Sequence, residues 1–126
     1  MRNFLLIVVM LAALMLTHRC LILNHTYENV WWTDFVMHAL GGAWIAIVVH
    51  SFIPRSGFSA LITIVLVVGG LWEALEFFIS APFFGVGEVR LTDPIWQLDT
   101  IFDLSMDIMG AVLLWAVLSR YNRVHA

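Results

Sequence analysis

The chain has 126 residues, of which 62% are hydrophobic and 12% are charged, and its mean hydropathy is +0.94. This composition excludes a water-soluble domain and predicts a membrane protein. The charged residues are six arginines and nine acids, a net charge of −3 that excludes the basic surface of a nucleic-acid-binding protein, and the single cysteine excludes an intramolecular disulfide.

Four apolar runs are long enough to cross a bilayer, since a spanning helix needs about 20 residues. We predict membrane helices over about 4–23, 34–53, 58–80 and 99–118. Pro54 and Pro82 close the second and third helices, because proline cannot continue helical hydrogen bonding, and an outer loop over 81–98 joins the last two. The expected fold is all-α, an antiparallel bundle of four transmembrane helices in one membrane domain, 1–126.

The arginines predict the orientation, because positive residues near the ends of spans are retained in the cytoplasm. With four spans, both termini and the second loop share one side, which carries Arg2, Arg55, Arg120 and Arg123. The opposite loops are mainly acidic. We therefore expect a multi-pass protein of the cell inner membrane with both termini in the cytoplasm.

Ionisable residues recur near the outer end of every predicted span. Such residues are costly in a bilayer and usually face a bundle interior, so each is a functional candidate. They are Arg19 on the first helix, Asp34 and His38 on the second, Glu73 and Glu76 on the third, and Asp99, Asp103 and Asp107 on the fourth. Gly41, Gly69 and Gly110 lie on about the same faces as these acids, and glycines mark helix contacts in membranes. The acids should therefore point into the bundle, at the outer or periplasmic side.

The six carboxylates cannot all be ionised in a layer of low dielectric with Arg19 as the only counter-charge. A divalent metal would neutralise them, and oxygen ligands with one imidazole suit Mg²⁺, Mn²⁺, Zn²⁺ or iron. Shared protons, as in the relays of transporters, are a second solution. In a third, the acids are structural: Asp34 and Asp99 begin predicted helices, where aspartate is an ordinary N-cap.

Three ordered motifs resemble a known family. They are Asp34-x3-His38, Glu73-x2-Glu76 and Asp99-Thr100-x2-Asp103, followed by Gly110. Together they resemble the uncharacterised bacterial inner-membrane family that includes YjdF, and more loosely the VanZ-like proteins associated with glycopeptide resistance, whose last motif would fall on Asp103, Asp107 and Gly110. The resemblance covers 34–111 and implies a shared site without implying an established reaction.

An enzyme is the first functional hypothesis. Glu73, Glu76, Asp99, Asp103, Asp107 and His38 would hold a metal that polarises a phosphoryl oxygen or activates water. His38 would alternatively act as general base, oriented by Asp34, with Arg19 as counter-ion or anion clamp. The substrate would be a lipid-linked or small phosphate-bearing molecule that reaches the site from the outer leaflet.

Two other hypotheses remain open. The same carboxylates could bind and release protons or a cation in a transporter, as a homo-oligomer because four short helices enclose little pathway. However, the inner half of each helix is apolar apart from His50, which disfavours a simple channel. Otherwise the chain is a non-catalytic membrane module whose polar cluster is structural.

Overall fold

The computed structural model of the chain describes residues 2–83 and 94–125. The described residues form helices and no strand: α1 Arg2–Leu23, α2 Thr26–Asn29, α3 Thr33–Phe52, α4 Phe58–Phe83 and α5 Pro94–His125. Four of them contain segments long and apolar enough to cross a membrane, over Phe4–Leu23, Thr33–Phe52, Phe58–Phe78 and Pro94–Arg120. The prediction of an all-α fold with four spans is confirmed.

The last helix differs most from its predicted bounds. It begins at Pro94 rather than at residue 99 and continues to His125 rather than ending at 118. Proline is favoured in the first turn of a helix, where its missing N–H is not needed, so Pro94 starts α5. The predicted loop 81–98 is correspondingly shorter, and its central part, 84–93, lies outside the described residues together with Glu88, Arg90 and Asp93.

The capping interpretation of two aspartates is wrong. Trp32 is the N-cap of α3 and makes no side-chain capping hydrogen bond, and Asp34 lies in the first turn after it. Asp99 lies five residues inside α5, because that helix begins at Pro94. A further difference is α2, a single turn that the sequence did not predict, which connects α1 to α3.

Helix α3 is central, because it packs against α1, α4 and α5. It approaches α5 closely at two glycines: a Cβ atom at Gly42 would overlap the backbone carbonyl of Asp107, and one at Gly110 would overlap that of Ala39. Helix α4 also packs on α5. In the described part of the chain, no Cα atom of α1 lies within 8 Å of a Cα atom of α4. A cleft therefore separates these two helices.

A small apolar core closes one end of the bundle, which we call the core end. It is formed by the second half of α3, the first half of α4 and the middle of α5, with the buried residues Ile45, Ala46, Val49, Leu61, Val65 and Ala111. Leu61 and Val65 are almost fully buried. The acids of the predicted site and His38 lie toward the other end, which we call the cluster end.

Candidate functional site

A buried histidine, His38, lies at the centre of the polar site. It is five residues into α3, and only 7% of its side chain is exposed. The carboxylates around it come from α3, α4 and α5, and we call the whole group the acid–histidine cluster: Asp34, His38, Glu73, Glu76, Asp103 and Asp107. Helices far apart in sequence therefore meet here, as the spacing of the acids predicts.

The Nε2 atom of His38 faces three carboxylates from three helices. It lies 3.8 Å from Oδ1 of Asp34, 3.7 Å from Oε1 of Glu73 and 3.9 Å from Oδ2 of Asp103. A direct N–H···O hydrogen bond is about 2.7–3.2 Å long. The three carboxylates thus surround the Nε2 side of the ring without bonding closely to it.

The other ring nitrogen has a different partner. Nδ1 of His38 lies 3.4 Å from Oδ1 of Asp107, the shortest contact that the ring makes with a carboxylate of the cluster. Asp107 is one turn beyond Asp103 on α5 and is 4% exposed. The structure therefore brings Asp107 to the side of the ring opposite Asp103, and it brings Asp34, which we expected to orient the ring, to the Nε2 side.

Two carboxylate oxygens of the cluster are buried without a hydrogen-bond partner among the described residues. They are Oε1 of Glu73 and Oδ1 of Asp103, whose residues are 6% and 2% exposed. The second oxygen of Glu73, Oε2, accepts a 2.9 Å hydrogen bond from Oγ1 of Thr100 on α5. Buried polar atoms are normally satisfied, so these two oxygens are candidate ligand atoms.

The cluster contains two overlapping groups with the spacing of metal ligands. The first group consists of a nitrogen of His38 and one oxygen each of Asp34 and Asp103. The second consists of a nitrogen of His38 and one oxygen each of Glu73 and Glu76. Within each group all the donor atoms are within 4.8 Å of one another. Since His38 belongs to both groups, it is the shared donor of the site.

Two predicted site residues do not join the cluster. Asp99 and Arg19 are both exposed. Among the described residues, every ion pair of the cluster involves His38, and neither Asp99 nor Arg19 is its partner. Each successive residue of a helix is turned by about 100°. Arg19 is therefore turned away from its neighbour His18, which faces the bundle, and Asp99 is about 80° around α5 from Asp107.

A cavity of about 310 Å³ adjoins the cluster on the side of α1 and α4. Asp34, His38, Glu76 and Asp107 contribute to its wall, and so do His18 and Trp72, which the sequence did not single out. The rings of His18 and Trp72 meet edge to face, with centroids 5.4 Å apart. Trp72 is four residues before Glu76, which places both on one face of α4, and this spacing was the available signal.

Residues 1–124 match the family described as "Predicted membrane protein (DUF2238)". The chain belongs to this family. The match agrees with the predicted membership of an uncharacterised family of membrane proteins, while the narrower likeness to YjdF or VanZ stays a prediction. No curated protein and no solved structure matches the chain.

The ligand atoms of the acid–histidine cluster determine which metals this DUF2238 member could bind. Carboxylate oxygens and one imidazole nitrogen, with no described cysteine among them, are ligands for Mg²⁺, Mn²⁺, Zn²⁺ or iron. The cluster holds five carboxylates against one imidazole, so a divalent cation would offset much of the negative charge. The two unpartnered oxygens give such a cation atoms to bind, so the residues present fit a metal.

Proposed function

We propose that the chain is a divalent-metal-dependent membrane enzyme that acts on a lipid-linked or phosphate-bearing substrate. One observation carries the proposal: the carboxylates of Glu73 and Asp103 lie on the Nε2 side of His38, and each has one buried oxygen without a hydrogen-bond partner, Oε1 of Glu73 and Oδ1 of Asp103. An unsatisfied buried carboxylate oxygen costs more than about 1–3 kcal/mol. A metal bound at this position would remove that cost for both oxygens.

The two sides of the His38 ring suit different tasks in such a site. Histidines that bind metals usually donate their other N–H to a carboxylate, which fixes the orientation of the ring. Asp107 at Nδ1 is placed for that positioning role. Nε2 would then be a ligand beside Asp103 and Glu73, and Asp34 or Glu76 would complete the set.

A metal in this place would act as a Lewis acid on a phosphoryl oxygen or lower the pKa of a bound water. Asp34 and Glu76 line the cavity and are less buried than Glu73 or Asp103. They are therefore the carboxylates best placed to contact a substrate and to accept a proton from it. Asp107 contacts Nδ1 of His38, and Thr100 donates a hydrogen bond to Glu73.

The core end of the bundle disfavours transport. A transporter needs access from both sides of the membrane, and below the cluster the described helices pack Leu61 and Val65 against Ile45, Val49 and Ala111. These side chains are apolar and almost entirely buried. The enzyme hypothesis needs access from one side only.

Elemental analysis by mass spectrometry tests the proposal. The protein would be purified in mild detergent without chelator, beside Asp103→Asn and Glu73→Gln. We expect about one Mg, Mn, Zn or Fe per wild-type chain, and a loss of roughly tenfold or more in each variant, because each removes a charged ligand. Asp99→Asn is the matched control, since Asp99 is an exposed aspartate on the same helix as Asp103.

The opposite result is equally informative. If no sample contains metal, and both variants elute and unfold like the wild type, the metal-dependent mechanism is wrong. The carboxyl groups would then be neutralised by protons. If Asp99→Asn loses metal as strongly as Asp103→Asn, Asp99 also contributes to the site, and the ligand set assigned here is wrong.

A further inference from the structure

The cavity beside the cluster is mainly apolar. Besides the polar residues of the cluster, its wall is built from side chains of α1, α3 and α4, including Leu11, Leu14, Met15, Met37, Ile45 and Val68. The size of about 310 Å³ falls at the lower end of the range for small-molecule sites. An apolar wall that ends at a charged cluster fits a ligand with a hydrocarbon part and a polar part.

Helix α1 supplies one continuous face to this cavity. Leu11, Leu14, Met15 and His18 follow the spacing i, i+3, i+4, i+7, which places them on one side of the helix. Leu16, between them in sequence, is 70% exposed and faces away. The helix therefore lines the cavity with one face and presents the other to the surroundings of the bundle.

The cavity is bounded at both ends along α1. Toward the core end, Nε1 of Trp44 on α3 donates a 3.0 Å hydrogen bond to the carbonyl oxygen of Ile7 on α1. Toward the cluster end, His18 on α1 meets Trp72 on α4. From Ile7 to His18 the helix rises about 16 Å, which gives the cleft the length of a hydrocarbon chain of moderate size.

Between these two contacts the cleft is open sideways. The described parts of α1 and α4 make no close backbone contact, and Val68 and Met15, which line the cavity, are about two-fifths exposed. Both helices are long and apolar enough to cross a membrane. A gap between two such helices opens into the hydrocarbon of the bilayer, so a ligand can enter without passing through water.

We propose that this cavity binds one hydrocarbon chain of a phosphate-bearing lipid, with the phosphate at the Nε2 side of His38. The position of the phosphate rests on the proposed function, because a bound divalent metal would attract it. The position of the chain does not, since it depends only on the apolar wall and the lateral opening. The two parts can therefore be tested separately.

Photo-crosslinking in phosphatidylcholine vesicles tests both parts. The probes are dodecyl phosphate and dodecanol, each carrying a diazirine in the chain, and labelled peptides are identified by mass spectrometry. We expect saturable labelling of the Leu11–His18 segment of α1 by both probes. Labelling by the phosphate probe should be the stronger, and chelation or Asp103→Asn should remove this preference.

Cavity-filling variants locate the chain. Leu14→Trp should lower the saturable labelling by about tenfold or more, because the new side chain occupies the space of several methylene groups. Leu16→Trp is the control on the same helix, and it should be labelled to the same extent as the wild type. Val68→Trp and Val67→Trp repeat the comparison on α4, where Val67 is 56% exposed, in case Leu14→Trp does not fold.

Each outcome has a distinct meaning. Uniform labelling of all lipid-facing surfaces, or equal labelling of Leu14→Trp and Leu16→Trp, would show that the cavity does not bind the hydrocarbon chain. This conclusion holds whether or not the protein contains metal. Saturable labelling at α1 without a preference for phosphate overturns the phosphate position and counts against the proposed function, while the chain site stands. The preference for phosphate in wild-type protein that contains metal supports both.

Discussion

Asp103 and Asp107 are one turn apart on α5, and yet they contact different nitrogens of the same imidazole. Asp103 lies on the Nε2 side and has an unpartnered oxygen, whereas Asp107 lies on the Nδ1 side. The sequence predicts that both point into the bundle, because they share a helix face. It could not predict which nitrogen each one meets, since that depends on the rotation of α3 relative to α5.

Thr100 offers a test of the hydrogen bonding inside the cluster. Its hydroxyl donates to Oε2 of Glu73, between α5 and α4. Thr100→Val keeps the shape of the side chain and removes the donor, which leaves both oxygens of Glu73 without a partner. We expect the free energy of unfolding in detergent to fall by about 1–3 kcal/mol.

Ser105→Ala is the control for this substitution. The hydroxyl of Ser105 is exposed and donates only along its own helix, to the carbonyl of Ile101. Its removal should change the stability by about 0.5 kcal/mol or less. If Thr100→Val is as mild as Ser105→Ala, the hydrogen bond to Glu73 contributes little to holding the cluster.

At the scale of the helices, the close packing of α3 on α5 depends on glycine. A Cβ atom at Gly42 would overlap the backbone of Asp107, and backbone atoms cannot move aside as a flexible side chain can. The glycine faces that the sequence singled out are confirmed in part: Gly110 is at this contact, and Gly41 and Gly69 adjoin the Asp107 carboxylate. Gly42 was missed, because the acids do not indicate which of two adjacent glycines meets the neighbouring helix.

Gly42→Ala measures how tight this contact is. Alanine favours a helix over glycine by up to about 1 kcal/mol, so propensity alone predicts stabilisation. We expect the reverse, a loss of about 1–3 kcal/mol, because the added methyl group forces α3 and α5 apart. Thermal unfolding in detergent would report this change as a lower Tm.

Gly70→Ala is the matched control in α4. Nothing lies within 4 Å of a Cβ atom at Gly70, so the change should be neutral or slightly stabilising. Equal effects at Gly42 and Gly70 would show that the α3–α5 contact adjusts easily. A lower metal content in Gly42→Ala alone would show that this contact also sets the geometry of the cluster.

Much of the helix organisation follows from hydropathy, but the lateral arrangement of the helices does not. The apolar runs predict the bounds of α1 and α3 to within one or two residues at most ends. The start of α5 was predicted too late, since Gln97 and Asp99 interrupt the apolar run while Pro94 begins the helix. The cleft between α1 and α4 could not be predicted from the sequence, because hydropathy contains no information about which helices are neighbours.

At the scale of the whole molecule, the charge distribution predicts which way the bundle faces. Both termini are expected in the cytoplasm and the cluster end outside. We would replace Cys20 by serine and introduce Asn24→Cys or Gly57→Cys, which are exposed positions in the connections after α1 and after α3. A membrane-impermeant maleimide added to intact cells should label the first variant alone.

Permeabilised cells provide the control for this experiment. There, both Asn24→Cys and Gly57→Cys should be labelled, which shows that each cysteine is accessible once the membrane is open. Labelling of Gly57→Cys but not Asn24→Cys in intact cells would reverse the orientation. The cluster would then be open to the cytoplasmic leaflet.

The position of His38 along α3 has a consequence for any lipid that uses the site. His38 is five residues after Thr33, or about 7.5 Å deeper than the start of the span. A lipid phosphate at the level of the headgroups must sink by this distance to reach Nε2, and it loses hydration as it does so. A lipid with a bare terminal phosphate would need to bury only the phosphate, whereas a large sugar attached to the phosphate would have to be drawn below the membrane surface as well. The depth of one histidine would thus select among lipids by the size of their headgroups.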